Sequence, residues 1–285
     1  MISIQLDRLD MLQEALASHC DGIRFGPEFC EVKIPTMQAL REAYRLTREA
    51  GKSFIYVSPR VSNSNIERIR EHINYIAGEN AAIVVNDLGS LRIALRFPSL
   101  RVHWGRQLAY VPSRCPWNEA PIGTGLLERR RLKIIMSESS LDLPFMTEYL
   151  KAMRVKDLEI DCLRESMLSA RDLAEQGFTL HAHLDGIPVA VTRKCHTARF
   201  LGESDPEHCS RPCDIKTLVL KEETVGVTLK LHGNVVYRNA SIDRDVIHSL
   251  RKSGVTDYII AMNRMTALMD GTAVNGFLVN LGLME

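Results

Sequence analysis

Residues 53–85 read SFIYVSPRVSNSNIERIREHINYIAGENAAIVV, and this stretch holds one full unit of the pattern that decides the fold. Ser53 to Ser58 is a short apolar run rich in β-branched and aromatic residues, as in a buried strand. Ile66, Ile69, Ile73 and Ile76 follow at spacings of three, four and three, which sets them on one face of a helix. Ala81 to Val85 is a second buried-strand run. A strand, a crossover helix and another strand make a parallel βαβ unit.

The pattern extends in both directions. Gly22 to Phe25 reads as a strand, followed by a helix over about Met37 to Ala50. Asn86-Asp87 leads into the helical DLGSLRIAL. Arg101 to Trp104, Leu132 to Met136, Asp157 to Cys162, Phe178 to Leu184 and Val255 to Met262 continue the strand series. Eight strands, most followed by a helix, predict a TIM-like (β/α)8 barrel, with an open doubly wound sheet as the rival. One domain over 1–285 is expected, with insertions near 109–131 and 195–240. The second lies between the last two strands and carries cysteines. It also contains two β-like runs, TLVLKEE and VTLKLHG, with His232-Gly233-Asn234 as a turn, and a helix near Asp243 to Lys252.

Composition excludes some classes. With 285 residues, 45% apolar, 25% charged and a net charge of +1, the chain has no bulk attraction for nucleic acid or anionic lipid. No window nears the ~18–20 apolar residues that span a bilayer. The opening Met1-Ile2-Ser3-Ile4-Gln5-Leu6-Asp7 lacks the basic start and apolar run of an export signal, so a cytoplasmic location is expected. Seven cysteines, an odd number, argue against a disulfide framework in such a chain.

Clustered thiols in a reducing compartment point to metal. Residues 193–214 read RKCHTARFLGESDPEHCSRPCD, which places Cys195, Cys209 and Cys213 where one folded loop can bring them to a single centre. Gly202, Asp205 and Pro206 supply the turn residues. A tetrahedral site or a cubane needs a fourth ligand, for which His196, His208 and a distant cysteine are candidates. Barrel geometry favours Cys30: its strand, Gly22–Phe25, is the first of the eight and Phe178–Leu184, before Cys195, the seventh, so both flank the eighth in a closed barrel and both loops leave by the carboxyl-end face. Spacing alone leaves zinc, an iron–sulfur cluster and ordinary buried cysteines open.

Strand alternation gives an independent clue. In Phe178 to Leu184, Leu180, Ala182 and Leu184 share one face and Thr179, His181 and His183 the other. The same reasoning turns Asp157 and Glu159 inward, and adds Arg24 and His103. A polar interior must be paired or line a wet cavity. The alternatives are a structural salt-bridge network and a substrate pocket in which His181, His183, Glu159 and Arg24 act, the histidines as proton carriers. The basic run Arg129-Arg130-Arg131 with Lys133 reads as a solvated helix end or as a phosphate or RNA contact.

RFGPEFC, ending at Cys30, and CHTARFLGESDPEHCSRPC, from Cys195 to Cys213, resemble peptidase family U32, most closely its UbiV-type branch. LDGIPVAVTRKC before the loop and LHGNVVYRN and DYIIAM after it are also similar to the family. The resemblance implies a 4Fe–4S cluster on Cys30, Cys195, Cys209 and Cys213. It implies a component of an oxygen-independent hydroxylase acting on an aromatic or quinone precursor, as in ubiquinone biosynthesis, in a heterodimer with a second family member. RNA-base hydroxylation, an electron-relay or scaffold subunit, and peptidase activity are the other readings. The chain has no HExxH and no nucleophile elbow. The insertion around Pro112 to Arg131 departs from the family pattern.

Overall fold

In the computed structural model, which describes residues 1–116, 125–164, 167–203, 205, 209–223 and 226–284, eight strands close into a parallel barrel. They are β1 (Ile2–Leu6), β2 (Gly22–Phe25), β3 (Ser53–Val57), β4 (Ala82–Val85), β5 (Arg101–Trp104), β6 (Asp157–Asp161), β7 (Thr179–His183) and β12 (Asp257–Ala261). Their order around the barrel is β1-β12-β7-β6-β5-β4-β3-β2, with every neighbour parallel. The expected barrel is therefore present.

Helices α1 (Leu12–Ala17), α2 (Met37–Glu49), α3 (Ile66–Gly78) and α4 (Leu88–Ala94) follow β1 to β4 in turn. Next come α5 (Leu126–Ser137) and α6 (Pro144–Ala152) after β5, and α7 (Met167–Glu175) after β6. Helices α9 (Arg244–Lys252) and α10 (Gly271–Asn280) flank β12. Several starts are fixed by side-chain caps that take up an otherwise unpaired N–H. Thr36 accepts from the Ala39 N–H, Asp87 from Ser90, Asp243 from Val246 and Asp270 from Ala273. The isoleucine stripe of α3 packs on the barrel, with Ile69, Ile73 and Ile76 fully buried. No helix among the described residues is long and apolar enough to cross a membrane.

Two corrections change the strand count without changing its total. Leu132 to Met136 is not a strand; it is the second half of α5, where Ile134 and Ile135 are exposed. The missing eighth strand is β1. As a result the Cys30-bearing strand β2 does not flank the last strand: β1 lies between β2 and β12.

Between β7 and α9 a second sheet forms, in the order β8-β11-β10-β9. It comprises β8 (Ile187–Val191), β9 (Leu218–Glu222), β10 (Val227–His232) and β11 (Val235–Arg238), all antiparallel. Short α8 (His196–Phe200) precedes β9. Val235, Tyr237 and Met265 pack with Phe29 and Val191, which seats this sheet on the carboxyl-end mouth of the barrel.

Beneath α3, the Tyr56 hydroxyl and His72 Nδ1 are 2.8 Å apart and both side chains are buried. Burial, with Arg68 adding to it, depresses the His72 pKa to about 4. A base whose folded pKa lies below its unfolded value resists protonation only while folded. Stability therefore falls as pH drops from about 6.5 through 4, by up to about 3 kcal/mol. His72→Gln keeps an acceptor for Tyr56 and should lose that part of the acid sensitivity, read from urea midpoints at pH 6.5 and 4.5. Equal acid sensitivity in both chains would place the neutral ring's contribution elsewhere.

Candidate functional site

The chain leaves β2 through Gly26, whose φ of +131° is open to glycine, and where a Cβ would meet the Val57 carbonyl oxygen at 2.2 Å. This turn carries Glu28, Phe29 and Cys30 across the mouth of the barrel. Cys195 stands at the start of α8, and its Sγ accepts the Ala198 N–H at 3.4 Å. Cys213 is buried on a single turn at Pro212–Asp214, and Cys209 is half-buried just before it. Gly233, with φ of +63°, closes the β10–β11 turn beside Cys213; a Cβ there would lie 3.9 Å from its Sγ. The Thr197 N–H donates to the Gly233 carbonyl at 3.2 Å, which brings α8 to the same turn.

Lys33 joins these segments. Its ammonium donates to Asp7 at 2.9 Å and to Asp214 at 2.5 Å, tying the Cys30 loop to β1 and to the Cys213 turn. Arg211, in a left-handed conformation, donates to the Val32 carbonyl at 3.5 Å. The four thiols are brought within electrostatic reach of one another. Burial pushes the Cys30 thiol up, and Cys195 adds to the effect; burial likewise raises Cys195, with Cys209 adding. Burial pushes Cys213 up to about 12, against Lys33 and with Cys30 contributing. All four are free thiols.

Four thiols are soft donors of the kind that hold zinc or an iron–sulfur cluster. Backbone N–H groups of Val32 and Lys33 are directed at Cys30, and those of Thr197 and Ala198 at Cys195, where they favour the thiolate. Among the described residues, the only His, Cys, Asp and Glu set whose ligand atoms all lie within 4.8 Å is His103, Asp157 and His181. No three of the cysteine sulfurs gather that closely. His196 is half-buried on α8, Arg199 is exposed there, and His208 and Pro206 lie outside the described residues.

A cavity of about 60 Å³ opens beside Cys30 and Cys213, lined also by Glu28, Arg106, Asp185 and Tyr237. It has room for about two waters. On the other side of Phe29 a groove of about 620 Å³ runs between the loop after β5 and strand β8, with Tyr110, Pro112, Pro188 and Val191 in its walls.

Arg106 forms the floor of the cavity and is fully buried. It makes a two-pronged pair with Glu28, at 2.7 and 2.9 Å, and donates to Asp161 and Asp185 at 3.1 Å each. Arg114 takes the other Asp161 oxygen at 2.6 Å. Arg106, Glu28, Asp185 and Lys33 carry no periodicity in the sequence because they sit on irregular segments. The signal that finds them is position: charged residues just past the carboxyl end of a barrel strand.

Arg24, Glu159, His181 and His183 lie deeper, at 0–1% exposure, and do not line this cavity. Arg24 pairs with Glu159 and reaches His181 Nδ1 at 3.2 Å; His183 Nε2 is 3.1 Å from Glu159. His181 Nε2 is 2.9 Å from Asp157. Burial and Arg106 both oppose a charge on His183, but Asp185 and Glu159 outweigh them and lift it to about 9. With His183 charged, Arg24, Arg106, Arg114 and His183 balance Glu28, Glu159, Asp161 and Asp185. These residues are connected to the cavity through Asp185, which is 3.8 Å from His183 Nδ1 and also bonds Arg106.

No family model matches the chain, and no curated protein matches it. Solved structures similar to it include the U32 peptidase Mk0906, at 11% identity over 91% of each chain, with a TM-score of 0.46. Thiamine phosphate pyrophosphorylase from Pyrococcus furiosus is 9% identical over 99% of this chain and 95% of that one, with a TM-score of 0.46. Orotidine 5'-monophosphate decarboxylase from Sulfolobus solfataricus is 10% identical over 99% of both, with a TM-score of 0.45.

Proposed function

We propose that Cys30, Cys195, Cys209 and Cys213 hold a 4Fe–4S cluster, and that the chain works in the oxygen-independent hydroxylation of an aromatic or quinone precursor beside a second U32-type subunit. The observation that carries this reading is the meeting of Cys30, Cys195, Cys209 and Cys213, from distant parts of the chain, next to a cavity that Cys30 and Cys213 line. When bound, the cluster would supply one-electron redox chemistry at the barrel mouth.

The chain's own residues divide the remaining work. Arg106 donates to Glu28, Asp161, Asp185 and the Gly186 carbonyl, so it fixes Glu28 and Asp185 in the cavity wall and is already engaged by three carboxylates. The cavity is too small for an aromatic ring system, whereas the adjoining groove is large enough. Phe29 lines both the groove and the cavity, and its ring meets Tyr237 edge-on at 5.8 Å. Phe29 therefore sets how far an aromatic substrate advances.

Chain purified without air should contain about four iron and four sulfide per polypeptide. Cys195→Ala should lose most of the iron and the brown colour while keeping the far-UV circular dichroism of the barrel. Zinc in place of iron in the native chain, or full iron retention by Cys195→Ala, would end the proposal.

A further inference from the structure

At the opposite end of the barrel we infer a second metal site: a divalent zinc-class ion on His103, Asp157 and His181. The site is distinct from the cysteine centre and does not depend on it. His103 on β5 is paired in register with Asp157, the first residue of β6, and His181 comes from β7, the next strand round, on the same inward face. One ligand atom from each lies within 4.8 Å of the other two, and all three residues are buried. Tetrahedral zinc with bonds near 2.0–2.1 Å spaces its ligands about 3.3 Å apart, a contraction that small side-chain shifts supply.

The independent sign is His103 itself. It is 1% exposed, yet neither ring nitrogen has a hydrogen-bond partner. Its ring lies 4.5 Å from that of His181, tilted by 40°. A buried imidazole with two idle nitrogens is costly unless something binds it. Two histidines and a carboxylate are the usual nitrogen and oxygen donors for zinc.

Neighbouring groups complete the arrangement. Arg101 holds Asp157 with Nε on Oδ2 at 2.8 Å and Nη2 on Oδ1 at 2.6 Å. The ion takes Oδ1 in exchange for Nη2, while Nε keeps Oδ2. Arg24 now donates to His181 Nδ1 at 3.2 Å; ligation through Nε2 makes Nδ1 a donor, so the Arg24 Nη2 contact gives way and Asp257, now 3.9 Å away, closes by about 1 Å to accept it. Arg24 keeps Glu159. A carboxylate behind a ligating histidine is the common support for such an ion. A pocket of about 440 Å³ at the amino-end face, with Ser53, Ser99 and Arg101 in its walls, leads to His103 and provides the entry path.

The test is titration of chelator-treated full-length chain with Co²⁺, without air, followed by visible absorption. One equivalent is expected to bind with the d–d bands of nitrogen and oxygen ligation, in the native chain and in Cys195→Ala alike. His103→Leu, similar in size and without donors, should weaken binding at least about 100-fold, and Asp257→Asn about 10-fold. Asp257→Asn keeps the test open if His103→Leu does not fold. Binding seen only with thiolate charge-transfer bands, absent in Cys195→Ala and unchanged in Asp257→Asn, would overturn the site. So would a folded native chain that takes up no Co²⁺.

Discussion

Arg106→Met should lower the stability of the chain by about 3–5 kcal/mol at pH 7, because it removes one partner from a buried ionic cluster and leaves the others behind. The guanidinium is 1% exposed and holds three carboxylates: Glu28, Asp161 and Asp185. Asp161 retains Arg114 and Asp185 retains His183, so Glu28 is the carboxylate left without a cation, keeping only Gln5 Nε2 at 3.5 Å. With Arg106 gone, the interior holds one negative charge too many. A carboxylate in that state has its folded pKa raised above its unfolded value, and its penalty is fully present only above the folded pKa. The gap between variant and native chain must therefore narrow as pH falls from 7 towards 5. Urea midpoints at both pH values read this directly. A loss below about 1 kcal/mol, or a gap independent of pH, would mean that water reaches Glu28 and the cluster is not dry.

The consequence at the mouth is larger than the energy alone. Glu28 is two residues before Cys30, and Gln107 donates to the Glu28 carbonyl on the same loop. Arg106 thus fixes the backbone that delivers the first thiol. In the absence of Arg106, iron content should fall even where the barrel remains folded.

The barrel was legible because its strands and helices repeat, and repetition averages over local ambiguity. The two errors are instructive because each has a physical cause. Ile2-Ser3-Ile4-Gln5-Leu6 alternates with the period of a strand, but Ser3 and Gln5 point into a barrel whose interior is polar, so the segment looks amphipathic and terminal, not core-like. Leu132 to Met136 is apolar enough for a buried strand, and such a short run does not declare its period. The preceding Glu128-Arg129-Arg130-Arg131 continues it as a helix in which Leu127, Ile134 and Ile135 are exposed.

The site shows the same division. Alternation put His181, His183, Asp157, Glu159, Arg24 and His103 on the inward face, and each is buried there with the others. Cys30 comes to the late cysteines although its strand is one position further round the barrel than sequence reasoning supposed. The loop from Gly26 to Lys33 covers that extra distance, and the Lys33 pairs with Asp7 and Asp214 hold it. What no pattern revealed was the partner of each interior charge. Pairing across a barrel depends on shear, which strand sequences do not encode one at a time.

Arg24→Met is the second large effect, about 3–5 kcal/mol, and it separates the barrel interior from the mouth. Arg24 and Glu159 are at 0–1% side-chain exposure and in direct contact, so the variant leaves Glu159 with His183 as its sole partner. Burial opposes the Glu159 charge, and Arg24 is the main influence that holds its pKa far below the usual carboxylate range. Adding Glu159→Gln removes the stranded charge while keeping an acceptor for His183 Nε2. The double variant should then be more stable than Arg24→Met alone by at least about 1 kcal/mol, a coupling that a cycle of urea midpoints measures. Neither residue touches the Cys30 loop or the late cysteines, so iron content of the folded variants should match the native chain. Iron lost together with stability would mean that the interior charges reach the thiol centre through Asp185 and Arg106. Additive effects would mean that Arg24 and Glu159 do not depend on each other, contrary to their contact.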